Sequence, residues 1–138
     1  MSRENVEVVR RIYDPLALGN FWAIAPLLDP QISWDWGSDM ALVEGSTVYH
    51  GPQGVEAATR EWLKAWDGAR IEAEEFFDAG EQVIAFVHIY ARPKHGGPEV
   101  EMRSANVWTV RDRLATSMKG YTRADALKAV GLAEVGDA

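Results

Sequence analysis

The sequence predicts an α+β fold in which helices pack on a strongly curved, mostly antiparallel sheet. Two observations lead to this prediction. The first half of the chain shows mainly helical spacing of apolar residues, whereas the second half contains consecutive strand-like segments separated by turns. A sheet with one apolar face needs a cover, which the helices supply. A twisted sheet wrapped over helices leaves a conical space, so we also expect an internal pocket.

Length and composition fit one domain spanning residues 1–138. Apolar residues make up 47% of the chain, which suffices for a core. The chain has no cysteine, so disulfides and thiol catalysis are excluded and a reducing cytoplasm is favoured. The N-terminus lacks a secretory signal, and no apolar run approaches the roughly 20 residues that span a bilayer. The net charge of −7 disfavours nucleic-acid partners, so we expect a soluble cytoplasmic protein without membrane or nucleic-acid contacts.

Helices are predicted in four places, three of them in the first half of the chain. The first begins near Ser2, a good N-cap, and apolar residues recur at helical spacing as far as Leu16, although Pro15 should kink or end it. A short second helix is predicted over residues 21–28. Gly51-Pro52 begins a third helix that runs to about residue 65, because proline is favoured at the first helical position.

Strands are predicted from alternation and from β-branched and aromatic residues. A first strand lies around residues 32–36, and a short one around 47–49. Four more cover residues 70–78, 82–92, 99–110 and 114–121. Thr122 then caps a short final helix.

Several segments carry a resemblance to a known family. They are ENVEVVRRIYDPLALGNFWAIAPLLDPQISW, VYHGPQGVEAATREWLKAW, EEFFDAGEQVIAFVHIYAR, SANVWTVRD and GYTRADALKAVGL. In this order they resemble the SnoaL-like branch of the nuclear transport factor two-like superfamily. The resemblance implies a cone-shaped α+β roll with an internal pocket and a homodimer. It also implies that the protein is related to polyketide cyclases, ketosteroid isomerases and epoxide hydrolases, and to members that only bind ligands. One departure is Asp112-Arg113-Leu114, where relatives have a glycine in the turn.

Two strands carry aromatic and polar side chains on one face each. These are Phe86, His88 and Tyr90 on the first, and Met102, Ser104, Asn106 and Trp108 on the second. We predict that both of these faces point at the helices and line the pocket. The smaller, β-branched faces then form the outer side of the sheet, which is the expected homodimer surface.

His88 is the first catalytic candidate. In an apolar pocket, a histidine can act as a general base next to a carbonyl group, with Tyr90 as a hydrogen-bond donor. The alternative is a buried histidine that satisfies a backbone carbonyl. Both interpretations stay open.

Asn106 is the second candidate, and it depends on the resemblance. It matches the position where ketosteroid isomerases carry a neutral acid that donates to the substrate oxyanion, and an amide can donate there too. However, Trp34 or Trp36 stands in place of the isomerase base, and Ile12 in place of the isomerase tyrosine, with Tyr13 one residue displaced. A faithful isomerase is therefore disfavoured. A structural hydrogen bond is the alternative role of Asn106.

Asp35 is a further candidate base, but it faces solvent if Trp34 and Trp36 face inward. Only a bulge in the strand would turn it inward. The six tryptophans of the chain suggest an aromatic lining for a small apolar or aromatic ligand. The aromatic residues expected there are Tyr13, Trp22, Trp34, Trp36, Trp62 and Trp66.

No cofactor or metal is expected, because His50, His88 and His95 lack metal-ligand spacing and no phosphate-binding glycine loop is present. Three functions remain. The protein is an isomerase, cyclase or lyase that uses acid–base chemistry on a small apolar carbonyl compound. Alternatively, it binds a ligand without changing it, or its tryptophans fill the pocket and the sheet serves dimerisation.

Overall fold

The computed structural model describes residues 2–35, 48–64 and 66–131. In these residues six strands form one curved, open sheet with three α-helices packed on it. The elements are α1 Ser2–Ala17, β1 Leu28–Asp35, β2 Val48–His50, α2 Gly51–Leu63, β3 Trp66–Ala79, β4 Gln82–Pro93, β5 Val100–Arg111, β6 Leu114–Tyr121 and α3 Arg123–Ala129. The strand order is β2-β1-β6-β5-β4-β3, and within it β1 runs parallel to β6 while the other pairs are antiparallel. The predicted fold class is confirmed.

Of the two predicted effects of Pro15, a kink or the end of the helix, the second does not occur, because α1 continues through Pro15 to Ala17. Pro15 lies in the last turn, so the missing N–H removes one hydrogen bond from a helix that is already ending. The end is closed by Gly19 at φ 78°, with the Asn20 N–H donating to the Pro15 carbonyl at 2.8 Å and the Gly19 N–H to the Leu16 carbonyl at 3.1 Å. No helix in the described part of the chain is long and apolar enough to cross a bilayer.

The prediction of a second helix over residues 21–28 is wrong. Only Ala25–Leu27 forms a short 3₁₀ helix there. Pro26 contributes no N–H, and Leu28 is already extended at ψ 136° as the first residue of β1. The segment therefore has room for a single turn before the sheet begins.

The two faces of the sheet hold different apolar clusters. Helices α1 and α2 pack on the inner face, where the larger cluster lies, whereas α3 packs on the outer face. On β4 every residue from Val83 to Ile89 is buried, because both faces of the strand are covered. The alternation of side chains along β4 therefore cannot show which face of the strand points toward the helices. The inner side of β4 is the one with small and β-branched residues, Val83, Ala85, Val87 and Ile89.

The predicted orientation of β4 is wrong, and the strand register gives the reason. Residues directly opposite each other in an antiparallel pair share a face. His88 lies opposite Arg103, and Asn106 lies opposite Ala85. Since Asn106 is on the inner face, His88 must be on the outer face. The two polar, aromatic faces that we expected to point at the helices together cannot do so in this register.

The β5–β6 hairpin forms without the glycine found in relatives. Its two turn residues, Asp112 and Arg113, lie at φ 50° and 66°, between the paired residues Arg111 and Leu114. Both are in the left-handed region, which suits a two-residue hairpin turn but costs energy for residues with a side chain. The predicted last strand nevertheless has the observed bounds.

Candidate functional site

Tyr13 is the centre of the candidate site. It lies on the inward side of α1 and is 3% exposed. Two side chains of β5 donate to its phenol oxygen: Asn106 through Nδ2 at 2.7 Å and Trp108 through Nε1 at 3.0 Å. These contacts join residues more than ninety positions apart, at separations of 93 and 95. Helix α1 and strand β5 are thus fixed against each other at a polar point inside an apolar core.

The phenol of Tyr13 is left with one unused group, its own hydrogen. The two donors occupy the lone pairs of the oxygen. Among residues 2–35, 48–64 and 66–131, no acceptor for the Tyr13 hydroxyl hydrogen is found. Burial raises the pKa of Tyr13 above its ordinary value, more than the hydrogen bonds from Asn106 and Trp108 lower it. Tyr13 therefore stays protonated at neutral pH and can act as a hydrogen-bond donor.

Aromatic rings surround this phenol. The ring of Trp108 meets that of Tyr13 edge to face at 5.8 Å, and Trp34 meets Trp108 in the same way at 5.5 Å. Phe76 of β3 lies 6.2 Å from Tyr13 on another side. Such walls exclude water, so a hydrogen bond donated by Tyr13 is stronger here than at the surface.

Asn106 stands in a part of the inner face with little side chain beside it. Its neighbours in the register are Ala85 on β4 and Gly120 on β6. Asn106 remains only partly buried, although it lies in the middle of an interior strand. Asn106 is thus the most exposed of the three hydrogen-bonded residues Tyr13, Asn106 and Trp108. This combination of one polar pair and apolar walls is typical of a small-molecule site.

His88 and Tyr90 lie on the outer face instead. The two rings stack at 4.1 Å, and the Tyr90 hydroxyl lies 3.0 Å from His88 Nδ1. Arg103 Nη2 also approaches His88 Nδ1, at 3.3 Å. Nδ1 thus accepts a hydrogen bond from at least one donor, and the imidazole is held on the side of the sheet away from Tyr13.

The second imidazole nitrogen of His88 lies close to a carboxylate. Nε2 is 2.8 Å from Oε1 of Glu101, yet the contact does not have the angles of a hydrogen bond. The Glu101 side chain is 58% exposed, so a small rotation brings its carboxylate into line with the imidazole. Contacts to Tyr90, Glu101 and Arg103 account for His88 as a residue of the outer surface.

The remaining predicted site residues separate into three groups. Trp34, Trp62, Trp66 and Met102 belong to the inner cluster with Tyr13 and Trp108. Ser104 shares their face by register, opposite Val87, and donates to the Tyr121 carbonyl at 3.3 Å. The others lie elsewhere: Phe86 in the outer cluster, Asp35 beside Lys119 on the outer face, and Trp22 half exposed in the loop after α1. Trp36 lies outside the described residues.

Phe76 and Ala85 are site residues that the sequence reasoning missed. A register shift between Ala73 and Glu75 interrupts the alternation of β3, so the face of Phe76 cannot be counted from the start of the strand. Ala85 is fully buried opposite Asn106, and its methyl side chain carries no chemical signal in the sequence. Within the described ranges, no group of three His, Asp or Glu side chains is arranged to hold a metal ion.

Comparisons with known proteins agree with this architecture. A sequence profile described as the SnoaL-like domain matches residues 9–118. No curated protein sequence matches the chain. Among solved structures, TerC co-crystallised with polyporic acid superposes with a TM-score of 0.76 at 20% identity, covering 92% of this chain and 97% of that one.

Two further solved structures show the same fold. An NTF2-like protein of unknown function from Burkholderia pseudomallei gives a TM-score of 0.75 at 18% identity, covering 93% of this chain and 98% of its own. A hypothetical protein from Catenulispora acidiphila with a ketosteroid isomerase-like fold, in complex with trimethylamine, gives 0.71 at 14% identity, covering 91% and 93%. At these identities the structures establish the fold, and the profile establishes the family. This chain belongs to the SnoaL-like family.

Proposed function

We propose that this protein binds a small apolar carbonyl compound on the inner face of the sheet, with the carbonyl oxygen accepting the hydroxyl hydrogen of Tyr13. The observation that carries the proposal is the buried phenol whose oxygen accepts from Asn106 and Trp108 while its hydrogen has no acceptor in the described residues. The two donors polarise the phenol and fix its position. A preorganised donor of this kind stabilises negative charge on an oxygen.

Polarisation of a carbonyl is the chemistry that this site supports best. None of the described carboxylates or imidazoles hydrogen-bonds to Tyr13, Asn106 or Trp108. An isomerase or cyclase must remove a proton next to the carbonyl. The site can stabilise the oxyanion that forms, but none of these residues is placed to act as the base. Binding with polarisation is the primary proposal. The co-crystallisation of TerC with polyporic acid supports a ligand in this fold.

We expect acetonaphthone to bind about fivefold more tightly than ethylnaphthalene, which lacks the carbonyl, because one buried hydrogen bond contributes roughly 1 kcal/mol. Tyr13→Phe should remove this preference and leave ethylnaphthalene binding unchanged. Isothermal titration calorimetry measures both affinities. Tyr121→Phe, on the outer face of the sheet, is the matched control.

A second variant tests where the ligand lies without changing the phenol of Tyr13. Ala85→Val adds two methyl groups at a fully buried position opposite Asn106 and leaves the Tyr13 hydroxyl in place. It should weaken both ligands, and far-ultraviolet circular dichroism with urea unfolding should show a folded protein that is about 1–3 kcal/mol less stable, because the core around Ala85 is packed. Equal affinities of the wild type for the two ligands, or a carbonyl preference that survives Tyr13→Phe, would show that Tyr13 does not bind the carbonyl.

We also propose a homodimer formed through the outer face, in a cytoplasmic protein that needs no disulfide to fold. Helix α3 covers the apolar part of this face and leaves charged residues of both signs around His88. A two-fold axis would place these acidic and basic groups of two copies against each other. Sedimentation equilibrium should give twice the chain mass at low salt, with weaker association at high salt. A single-chain mass at all protein concentrations would contradict this proposal.

A further inference from the structure

A cleft away from Tyr13 lies where the loop after α1 approaches the beginning of β3 and the end of β4. Its volume is about 430 Å³, which is in the range of small-molecule sites. The residues that matter for its chemistry are Leu18, Trp22, Arg70, Tyr90, Arg92 and Glu99. None of them takes part in the Tyr13 site.

One wall of the cleft is apolar and exposed. Leu18 is 86% exposed and Trp22 is 50% exposed, the two highest values among the large apolar side chains of the described residues. Both line this one cleft, together with the buried Phe21. Single exposed apolar residues are ordinary, but two such residues on one concave surface indicate a binding surface.

The opposite wall carries positive charge. Arg70 lies over the ring of Tyr90, with Cζ 4.0 Å from the ring centroid, and its ion pair with Glu72 is loose at 3.6 Å. Arg92 is two residues beyond Tyr90 on the same side of β4, and it forms no ion pair with a described carboxylate. Glu72 offsets the charge of Arg70, so Arg92 is the arginine of this cleft that has no ion pair with a described carboxylate.

The backbone at this point holds Arg92 within the cleft. The pairing of β3 with β4 is irregular between Trp66 and Ala69, and Gly68 lies there at φ 132°. A Cβ atom on Gly68 would lie 3.3 Å from Nη2 of Arg92. The guanidinium therefore rests against a backbone position that has no side chain, with its remaining N–H groups available to a ligand.

We propose that this cleft binds a small amphipathic organic acid, whose carboxylate pairs with Arg92 and Arg70 and whose apolar body lies against Leu18 and Trp22. A planar guanidinium that lacks a carboxylate partner binds a carboxylate through two parallel hydrogen bonds. The exposed leucine and tryptophan supply the apolar contact that such an acid needs.

Titration calorimetry of the full chain with naphthylacetate and with naphthylacetamide tests the proposal. The two probes share the apolar body, and only the first carries a charge. We expect naphthylacetate to bind at least tenfold more tightly, and Arg92→Gln to weaken it about tenfold while leaving the amide unchanged. Arg111→Gln, another exposed arginine at the far end of β5, is the matched control and should change neither affinity. Trp22→Ala should weaken both probes.

The design distinguishes this cleft from the inner site and from self-association. Tyr13→Phe should leave naphthylacetate binding unchanged, and Arg92→Gln should leave acetonaphthone binding unchanged. Equal affinities for acid and amide, or an acid affinity that Arg92→Gln does not alter, would overturn the proposal. A dimer that Leu18→Glu converts to a monomer would overturn it as well, because the apolar wall would then be covered by a second copy of the chain.

Discussion

Trp108→Ala is expected to lower the free energy of unfolding by about 3–5 kcal/mol, the usual cost of truncating a large buried aromatic side chain. Trp108 is 1% exposed and makes edge-to-face contacts with Tyr13 and Trp34. Its loss leaves a cavity and also removes the hydrogen bond from Nε1 to the Tyr13 oxygen. Urea unfolding followed by far-ultraviolet circular dichroism measures the change without depending on tryptophan emission.

Trp22→Ala is the matched control for this experiment. Trp22 is 50% exposed and lies in a loop, so its removal should cost less than about 1 kcal/mol. The ratio between the two losses tests the packing that the structure shows. Similar losses for the two variants would mean that Trp108 is not at the centre of the inner cluster.

Alkaline unfolding should depend on Tyr13. Its pKa in the folded state is raised by burial, whereas in the unfolded chain a tyrosine titrates at about 10. Below pH 10 both states keep the proton, so Tyr13 adds no pH dependence. Above pH 10 the unfolded state loses a proton that the folded state retains, and stability falls by roughly 1 kcal/mol for each pH unit. Tyr13→Phe should remove this contribution.

The comparison of pH profiles isolates the effect of Tyr13 from other titrating groups. Urea midpoints between pH 8 and 11.5 should fall more steeply in the wild type than in Tyr13→Phe. Tyr121→Phe should keep the wild-type slope, because it leaves Tyr13 and the hydrogen bonds to Tyr13 in place. Parallel profiles for wild type and Tyr13→Phe would show that the phenol ionises as readily in the folded state as in the unfolded one.

Local patterns were sufficient for much of the fold. The bounds of β6 and the start of α2 agree with the prediction, because strand alternation and the Gly51-Pro52 helix start act within a few residues. The segment 21–28 shows the limit of such patterns. Its apolar spacing suits a helix, but Pro26 and the early start of β1 leave room for one turn only.

The sequence indicates which residues belong to the candidate site, but not how they are arranged. Tyr13, Asn106 and Trp108 were all candidates from spacing and alternation. That Asn106 and Trp108 share Tyr13 as an acceptor was not visible, since the contacts span more than ninety residues. His88 was placed inward because aromatic neighbours on its face suggested a pocket wall.

The order of helices and strands and the alternation within β5 follow from neighbouring residues along the chain, because helix and strand periods are local properties of the backbone. Which face of β4 points toward the helices does not follow from neighbouring residues. Both of its faces are apolar enough to be buried, and its register with β5 places Ala85 opposite Asn106 and His88 opposite Arg103. Only the packing of α1 over the small residues of β4 decides that Tyr13 meets Asn106 inside while His88 lies outside.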